Sequence, residues 1–415
     1  MRNPENVLES LTKCAGKADY QFQRLYRNLY NPEFYLLAYQ RIYTKPGNMT
    51  AGADGLTVDG MGMERINTLI SSMKDHSYQP RPARREYIKK QNDPKKKRPL
   101  GIPSIDDKLV QEVMRYILES IYEPVLSPNS HGFRPKRSCH TALTQIKRTF
   151  TGTKWFVEGD IKGCFDNIDH HILIDILRRK IKDEYFIALV WKFLKAGYLE
   201  NWQYHKTYSG TPQGSLISPV LANIYLNEFD NFMSDYANGF NKGEKRKMTK
   251  AYEKAANDHR IAKSKLKKQW DSLSDEERRQ GNERVKALKN VILNTVYNEP
   301  MDSGYKRIKY VRYADDFIIS IIGSKEDAEQ VKSDIGDFLL DKLKLTMSEE
   351  KTLVTHGADR ARFLSYDIEI CNKQSVSTDK NGSKARRHSG KARLLMPQEK
   401  WLHKLRDYKA FAVHP

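Results

Sequence analysis

Two apolar, β-type runs, Ile308-Lys309-Tyr310-Val311-Arg312 and Phe317-Ile318-Ile319-Ser320-Ile321-Ile322, flank the tetrapeptide Tyr313-Ala314-Asp315-Asp316. So short a joint between such runs predicts a strand, a tight turn and a returning strand, with adjacent carboxylates at the tip. No obvious base is at hand to pair with them. Adjacent carboxylates repel, and they stay ionised together only where positive charge lies between them and a partner. A hard divalent cation is the usual solution, because Mg²⁺ takes carboxylate oxygens together with the phosphate oxygens of a substrate. For the pair alone, a plain hairpin with an Asp-Asp turn is the simpler alternative.

A second acidic element lies upstream. Trp155-Phe156-Val157-Glu158-Gly159-Asp160, continuing into Ile161-Lys162-Gly163-Cys164-Phe165-Asp166, reads as a buried strand running into a carboxylate. A two-metal phosphoryl-transfer site takes about three carboxylates from separate strands, clamping ions roughly 4 Å apart. Asp160, Asp315 and Asp316 supply that set, with Glu158, Asp166 and Asp169 as rivals nearby. Asp160 is favoured because alternation puts it on the face opposite the Trp155 ring, while Asp166 is expected to cap the helix that follows. A third element, Ser209-Gly210-Thr211-Pro212-Gln213-Gly214-Ser215, is a Gly-flanked turn where backbone can approach a nucleotide closely. Ser218 as N-cap and Pro219 at the first helical position predict a helix after it, with Val220, Leu221, Ile224, Tyr225 and Phe229 on one face.

In order and spacing these elements resemble the reverse transcriptase family, and more narrowly the group II intron-encoded reverse transcriptases, also called maturases. The narrower resemblance is carried by Gly52-Ala53-Asp54-Gly55, Arg98-Pro99-Leu100-Gly101-Ile102-Pro103, His131-Gly132-Phe133-Arg134-Pro135 and Ala222-Asn223-Ile224-Tyr225-Leu226. Three residues depart from the family pattern: Lys89 where Pro is frequent, and Ser215 and Ser365 where Gly is. None of them removes a group that the chemistry requires.

The resemblance implies an α+β fold with the fingers and palm of a right-hand polymerase, its antiparallel palm sheet backed by helices. The implied activity is RNA-directed DNA polymerisation onto a primer 3′-OH, with intron RNA bound to assist splicing and mobility. RNA template, DNA primer and dNTPs are the implied partners. Two Mg²⁺ would be held by Asp160, Asp315 and Asp316 together with the Ile161 carbonyl. Lys90 and Arg98 would contact incoming phosphates, and Gln213 and Gly214 would line the nucleotide pocket. Phe165 would block a ribose 2′-OH, and Lys351 matches a family lysine placed to protonate pyrophosphate. The competing readings are an exposed helix lysine for Lys351 and a core packing residue for Phe165. An RNA-dependent RNA polymerase and a non-catalytic RNA-binding splicing cofactor are the rival functions. The bulk of Phe165 argues against the first, and the full set of carboxylates against the second.

Composition agrees. Lys and Arg number 72 against 52 acidic residues in 415, a net +20 that favours a polyanionic partner. Four cysteines, Cys14, Cys139, Cys164 and Cys371, lie far apart, with neither a disulfide framework nor zinc-type spacing. No apolar run nears the roughly 20 residues of a membrane span, and the start lacks a signal peptide's apolar stretch. A cytoplasmic protein with no membrane association is expected, with a homodimer as one open possibility.

The chain divides into an N-terminal extension (1–50), fingers (51–150), the first part of a palm (151–230), a basic insertion (231–305), the second part of the palm (306–370), and a basic loop leading to the start of a truncated thumb (371–415). Phe22, Leu25, Tyr26, Leu29 and Tyr30 predict an amphipathic helix in the extension. The runs around Tyr87-Ile88 and Pro99–Ile102 predict a basic hairpin, and residues 104–150 and 170–205 read as helical. Within 241–290, 16 Lys and Arg face 8 Asp and Glu, a net +8, which predicts a long, exposed, largely helical excursion, in contact with RNA or, as the alternative, a solvated helical pair.

Overall fold

The computed structural model describes residues 2–17, 19–90, 93–201, 203–211, 214–371, 375–378, 380, 382, 384–387 and 390–408. Helices α1 (Pro4–Ala15), α2 (Pro32–Tyr43) and α3 (Met63–Lys74) precede a hairpin of β1 (Ala83–Lys90) and β2 (Asp93–Ile102). Next come α4 (Ile105–Tyr122), α5 (Cys139–Thr149), β3 (Trp155–Asp160), the single turn α6 (Cys164–Asn167), α7 (His170–Lys180), α8 (Glu184–Lys195), β4 (Tyr198–Glu200) and β5 (Gln203–His205). The long α9 (Ser218–Phe240) leads to α10 (Lys250–Lys268), α11 (Asp275–Asn294), β6 (Arg307–Tyr313), β7 (Asp316–Ile322) and α12 (Lys325–Leu343). The remaining elements are β8 (Leu353–His356), β9 (Ala361–Phe363), β10 (Tyr366–Ile370), β11 (Ser375–Thr378), β12 (Lys384–Arg387), β13 (Ala392–Leu395) and α13 (Gln398–Asp407).

The predicted α+β class holds, with an antiparallel sheet backed by helices. Its order is β6-β7-β3-β8, every pair antiparallel. Both faces are covered. Val157, Phe317, Ile319 and Ile321 join the larger core with Phe229 of α9 and Ile335 and Leu339 of α12. Phe156, Val311 and Ile318 pack on the opposite face with Phe150, Phe363 and Ile368. Two-sided burial explains why 317–322 is apolar throughout instead of alternating. A second sheet, β2-β1-β4-β5, pairs β1 with β4 in parallel and otherwise runs antiparallel.

Several expectations are corrected. Residues 22–30 are not one α-helix. Phe22 forms a bridge to Ile181, and only Tyr26–Tyr30 makes a short 3₁₀ turn. The tertiary bonds from Tyr26 N–H to Asp183 Oδ2 (2.8 Å) and from Phe22 N–H to the Lys180 carbonyl (2.7 Å) take the place of helical ones. Residues 198–205 form a hairpin, because Gly197 at φ +76° ends α8 and Tyr198 joins β1. The polar 371–394 stretch contains β11, β12 and β13, and β13 pairs with β10 with Arg393 bound to Glu369 at 3.1 Å. Helix α9 starts one residue early, with Ile217 in the cap position. Asp166 lies within α6, and the cap of α7 is Asp169, which accepts from His171 N–H and Ile172 N–H. The basic stretch forms the helical hairpin α10–α11, closed at its base by a Met248–Asn298 bridge.

Candidate active site

The register of β3 against β7 brings Asp160 opposite Asp316, two residues 156 positions apart in sequence. Asp315 joins them from the turn, where its carbonyl accepts from Ile161 N–H at 3.3 Å. Burial, then repulsion from Asp315 and Asp160, pushes the Asp316 carboxyl up to about 7, and Asp315 is raised by burial and by Asp160. Lys351 Nζ lies 2.8 Å from Asp160 Oδ2, and this contact raises the lysine. It sits in the turn after Ser348 and not on a helix. Ile161 is bridged to Met347 through Lys162 N–H and the Asp160 carbonyl, which leaves the Ile161 carbonyl outside the bridge.

Three carboxylates crowd beside the exposed Lys351, with the buried Arg312 behind them, a surplus of negative charge whose chemistry suits a hard divalent cation. Among the described residues, no cluster of three metal-type side chains is already arranged as a cage. The donor set fits Mg²⁺ in its chemistry, with the Lys351 ammonium on the Asp160 oxygen where positive charge is wanted.

The rival carboxylates are engaged elsewhere. Glu158 accepts from Thr355 Oγ1 (2.5 Å) and Arg362 N–H (2.6 Å), away from the turn, and Asp169 is the α7 cap. Asp166 lines a separate cavity of about 340 Å³ with Arg85 and Thr211.

A cavity of about 900 Å³ opens on Asp315 and is lined by Arg98, Leu100, Phe165 and Gly214. Strand alternation divides β2 between two spaces: Arg98 and Leu100 line this cavity, while Pro99 and Gly101 line the smaller one. Gly214, at φ +105°, sits so close to β2 that a Cβ would lie 2.4 Å from the Gly101 carbonyl oxygen. Phe165 is half-buried and packs edge-on to Phe133 at 6.0 Å, so it is both a wall of the cavity and a neighbour of the core. Of the expected phosphate contacts, Arg98 is exposed on the cavity. The Lys90 backbone pairs with Asp93, but its side chain, like Gln213 as a whole, lies outside the described residues.

Sequence reasoning missed the groups that hold this site. Gln111 Oε1 accepts from Ser215 Oγ and Leu216 N–H, both at 2.9 Å, and so ties the end of the glycine turn to α4. Arg312 lies fully buried beneath the acidic turn, paired with Asp230 at 2.6 Å. Its signal in the sequence was one of alternation: Arg312 shares the strand face of the buried Ile308 and Tyr310, not that of the exposed Lys309.

A family model described as reverse transcriptase (RNA-dependent DNA polymerase) matches residues 88–252. Group II intron-encoded protein LtrA of Lactococcus lactis subsp. cremoris is 49% identical over 397 residues, covering 94% of this chain and 64% of that protein. The putative COX1/OXI3 intron 1 protein of Saccharomyces cerevisiae is 44% identical over 345 residues, 82% of this chain and 39% of its own length. Protein YkfC of Escherichia coli is 31% identical over 366 residues and covered to 86%, as is this chain. The chain thus spans less than two thirds of LtrA.

Proposed function

The chain belongs to the group II intron-encoded reverse transcriptases, and from that premise we propose that it extends a primer 3′-OH with deoxynucleotides on an RNA template and binds intron RNA. The observation that carries the reading is the convergence of Asp160 and Asp316 with Asp315, which lines the cavity bearing Arg98, Phe165 and Gly214. Two Mg²⁺ held by these aspartates and the Ile161 carbonyl would supply the acidity of the primer 3′-OH and offset triphosphate charge. The protein's own part is positioning and electrostatics, since phosphoryl transfer asks little covalent chemistry of it. Arg98 neutralises incoming phosphate, and Lys90 on the other strand of the hairpin takes the same role. Gln213 and Gly214 form the nucleotide wall, and Lys351 is the proton donor for pyrophosphate. Residues 51–150 act as fingers, and 151–230 with 306–370 as a palm interrupted by the insertion 231–305. Residues 1–50 are an extension, and 371–415 lead toward a thumb. Residence in the cytoplasm belongs to the same reading; separately, no described helix is long and apolar enough to cross a membrane. Primer extension on an RNA template, comparing dNTPs with rNTPs, tests it. No incorporation of either would reject the enzyme, and preference for rNTPs would favour an RNA polymerase.

Phe165→Ala should relax sugar choice. The half-buried ring borders the cavity beside Asp315, where an incoming ribose 2′-OH would meet it. The ratio of kcat/KM for dCTP over CTP should fall by roughly tenfold or more, about 1.4 kcal/mol of discrimination. An unmoved ratio in a folded variant would make Phe165 a packing residue only.

The helical hairpin offers a second test. Thr249 N–H donates to the Tyr297 carbonyl at 3.0 Å, so a short turn can replace residues 250–294. That excision removes 12 Lys and Arg against 7 Asp and Glu. RNA affinity should drop, and the slope of log K against log salt should flatten by roughly 0.7–0.9 for each phosphate that is no longer neutralised. An unchanged slope would make the hairpin a solvated surface.

A further inference from the structure

Beneath the acidic turn lies a guanidinium whose five N–H donors all have acceptors. Arg312 is 0% exposed. Its Nε donates to Asp230 Oδ1 at 2.8 Å and its Nη2 to Asp230 Oδ2 at 2.6 Å. Nη2 also donates to Ser130 Oγ at 2.8 Å. Nη1 donates to the Ala314 carbonyl at 2.8 Å and to Asn223 Oδ1 at 3.3 Å. The Asn223 amide in turn donates to the Gly132 carbonyl at 2.8 Å. Four segments therefore meet on one side chain: β6, the turn itself, the 130–132 loop and α9.

The turn needs such support. Ala314 has φ +57°, the left-handed region that a residue with a Cβ enters at a cost. Gly132 packs so tightly beneath it that a Cβ would lie 2.4 Å from the Ala314 nitrogen. Asp315 and Asp316 follow directly and repel each other and Asp160, a repulsion that the Asp316–Asp160 hydrogen bond and the Lys351 ammonium offset only in part. A planar fork fixed at both ends can hold a backbone carbonyl in one direction, which a lysine's point charge cannot. Helix α9, which carries Asn223 and Asp230, also begins at Ser218, just past the Gly214 wall of the cavity.

We propose that Arg312, locked by Asp230 and Asn223, is the positioning residue of the acidic turn. By gripping the Ala314 carbonyl it sets where Asp315 and Asp316 stand against Asp160, and it ties that placement to the helix that begins beside the nucleotide wall. The inference rests on the polymerase reading for what the turn does, but on the hydrogen bonds alone for how it is held.

The test uses the full chain with Arg312→Lys, Asn223→Ala and Tyr310→Phe. Tyr310 OH donates to Asp230 Oδ1 (2.8 Å), so its loss weakens the same buried cluster without touching the grip on Ala314. Single-turnover extension and the rise in Tm on adding Mg²⁺ are measured where each variant is folded by circular dichroism. Arg312→Lys should lower kcat by about a hundredfold with KM for dNTP within about twofold, the pattern of a misplaced reacting group. It should also lose the Mg²⁺-induced rise in Tm. Asn223→Ala should lower kcat by about tenfold and shrink the Mg²⁺-induced rise. Tyr310→Phe should lower Tm yet leave kcat and the Mg²⁺ response as in the parent. A folded Arg312→Lys with parental kcat and Mg²⁺ response would overturn the proposal. So would a Tyr310→Phe that loses as much activity as Arg312→Lys. If Arg312→Lys does not fold, Asn223→Ala decides by the same criteria. Should the parent extend no primer, the polymerase reading falls, and the Mg²⁺ response of the variants still decides how the turn is held.

Discussion

Asp315→Asn should abolish primer extension while leaving primer–template affinity within about twofold, a loss of rate of roughly a thousandfold or more, or about 4 kcal/mol. An amide keeps the shape of the carboxylate but lacks the charge that a divalent cation and a developing phosphoryl charge both require. The same substitution should not harm the fold. Asp315 is itself raised by burial and by Asp160, and it is one of the two charges that push Asp316 up to about 7. Neutralising one member of a repelling cluster relieves strain, so Tm should stay level or rise. Single-turnover extension, filter binding and thermal unfolding on one preparation separate these effects. Extension at the parental rate would remove Asp315 from the site, whereas inactivity with a lowered Tm would trace the loss to folding.

The largest effect on stability is expected from Asp230→Ala. Both partners of the Asp230–Arg312 pair have side chains with 0% exposure. Truncating Asp230 leaves a guanidinium in the interior with its charge uncompensated, and breaking a buried pair from one side costs about 3–5 kcal/mol. Tyr310, whose hydroxyl donates to the same carboxylate, loses its acceptor as well. Urea midpoints at constant slope provide the measurement. Replacing both partners with Asp230→Leu and Arg312→Met removes the uncompensated charge and should recover part of that stability, while Tyr310, Ser130, Asn223 and the Ala314 carbonyl still lose a partner. The double variant should nevertheless remain inactive, since nothing then grips the Ala314 carbonyl. A single Asp230→Ala within about 1 kcal/mol of the parent would mean that water reaches Arg312 and that the pair is not the buried support described above.

Local signals were strong where a residue's chemistry and its neighbours agree. The Tyr313–Asp316 turn between two β-type runs, the strand ending at Asp160 and the apolar face of α9 were legible because chain neighbours alone define them. So was the helical, basic character of the α10–α11 hairpin, where no core is needed to explain the pattern. Tertiary structure decided what depends on partners distant in sequence. It set Asp160 opposite Asp316 through the β3–β7 register and engaged Glu158 and Asp169 in other bonds. It took Lys351 off a helix and set it against Asp160, paired β11 with β12, and gave β13 the edge of β10. Above all, it explains Arg312. Its strand also carries Arg307 and Lys309, so this charge has no special standing in the sequence: the carboxylate that balances it stands 82 positions away on a helix and the carbonyl it holds lies around a turn. Periodicity records which side of a strand is buried, but only the packed fold shows whether the buried place offers a cation five acceptors.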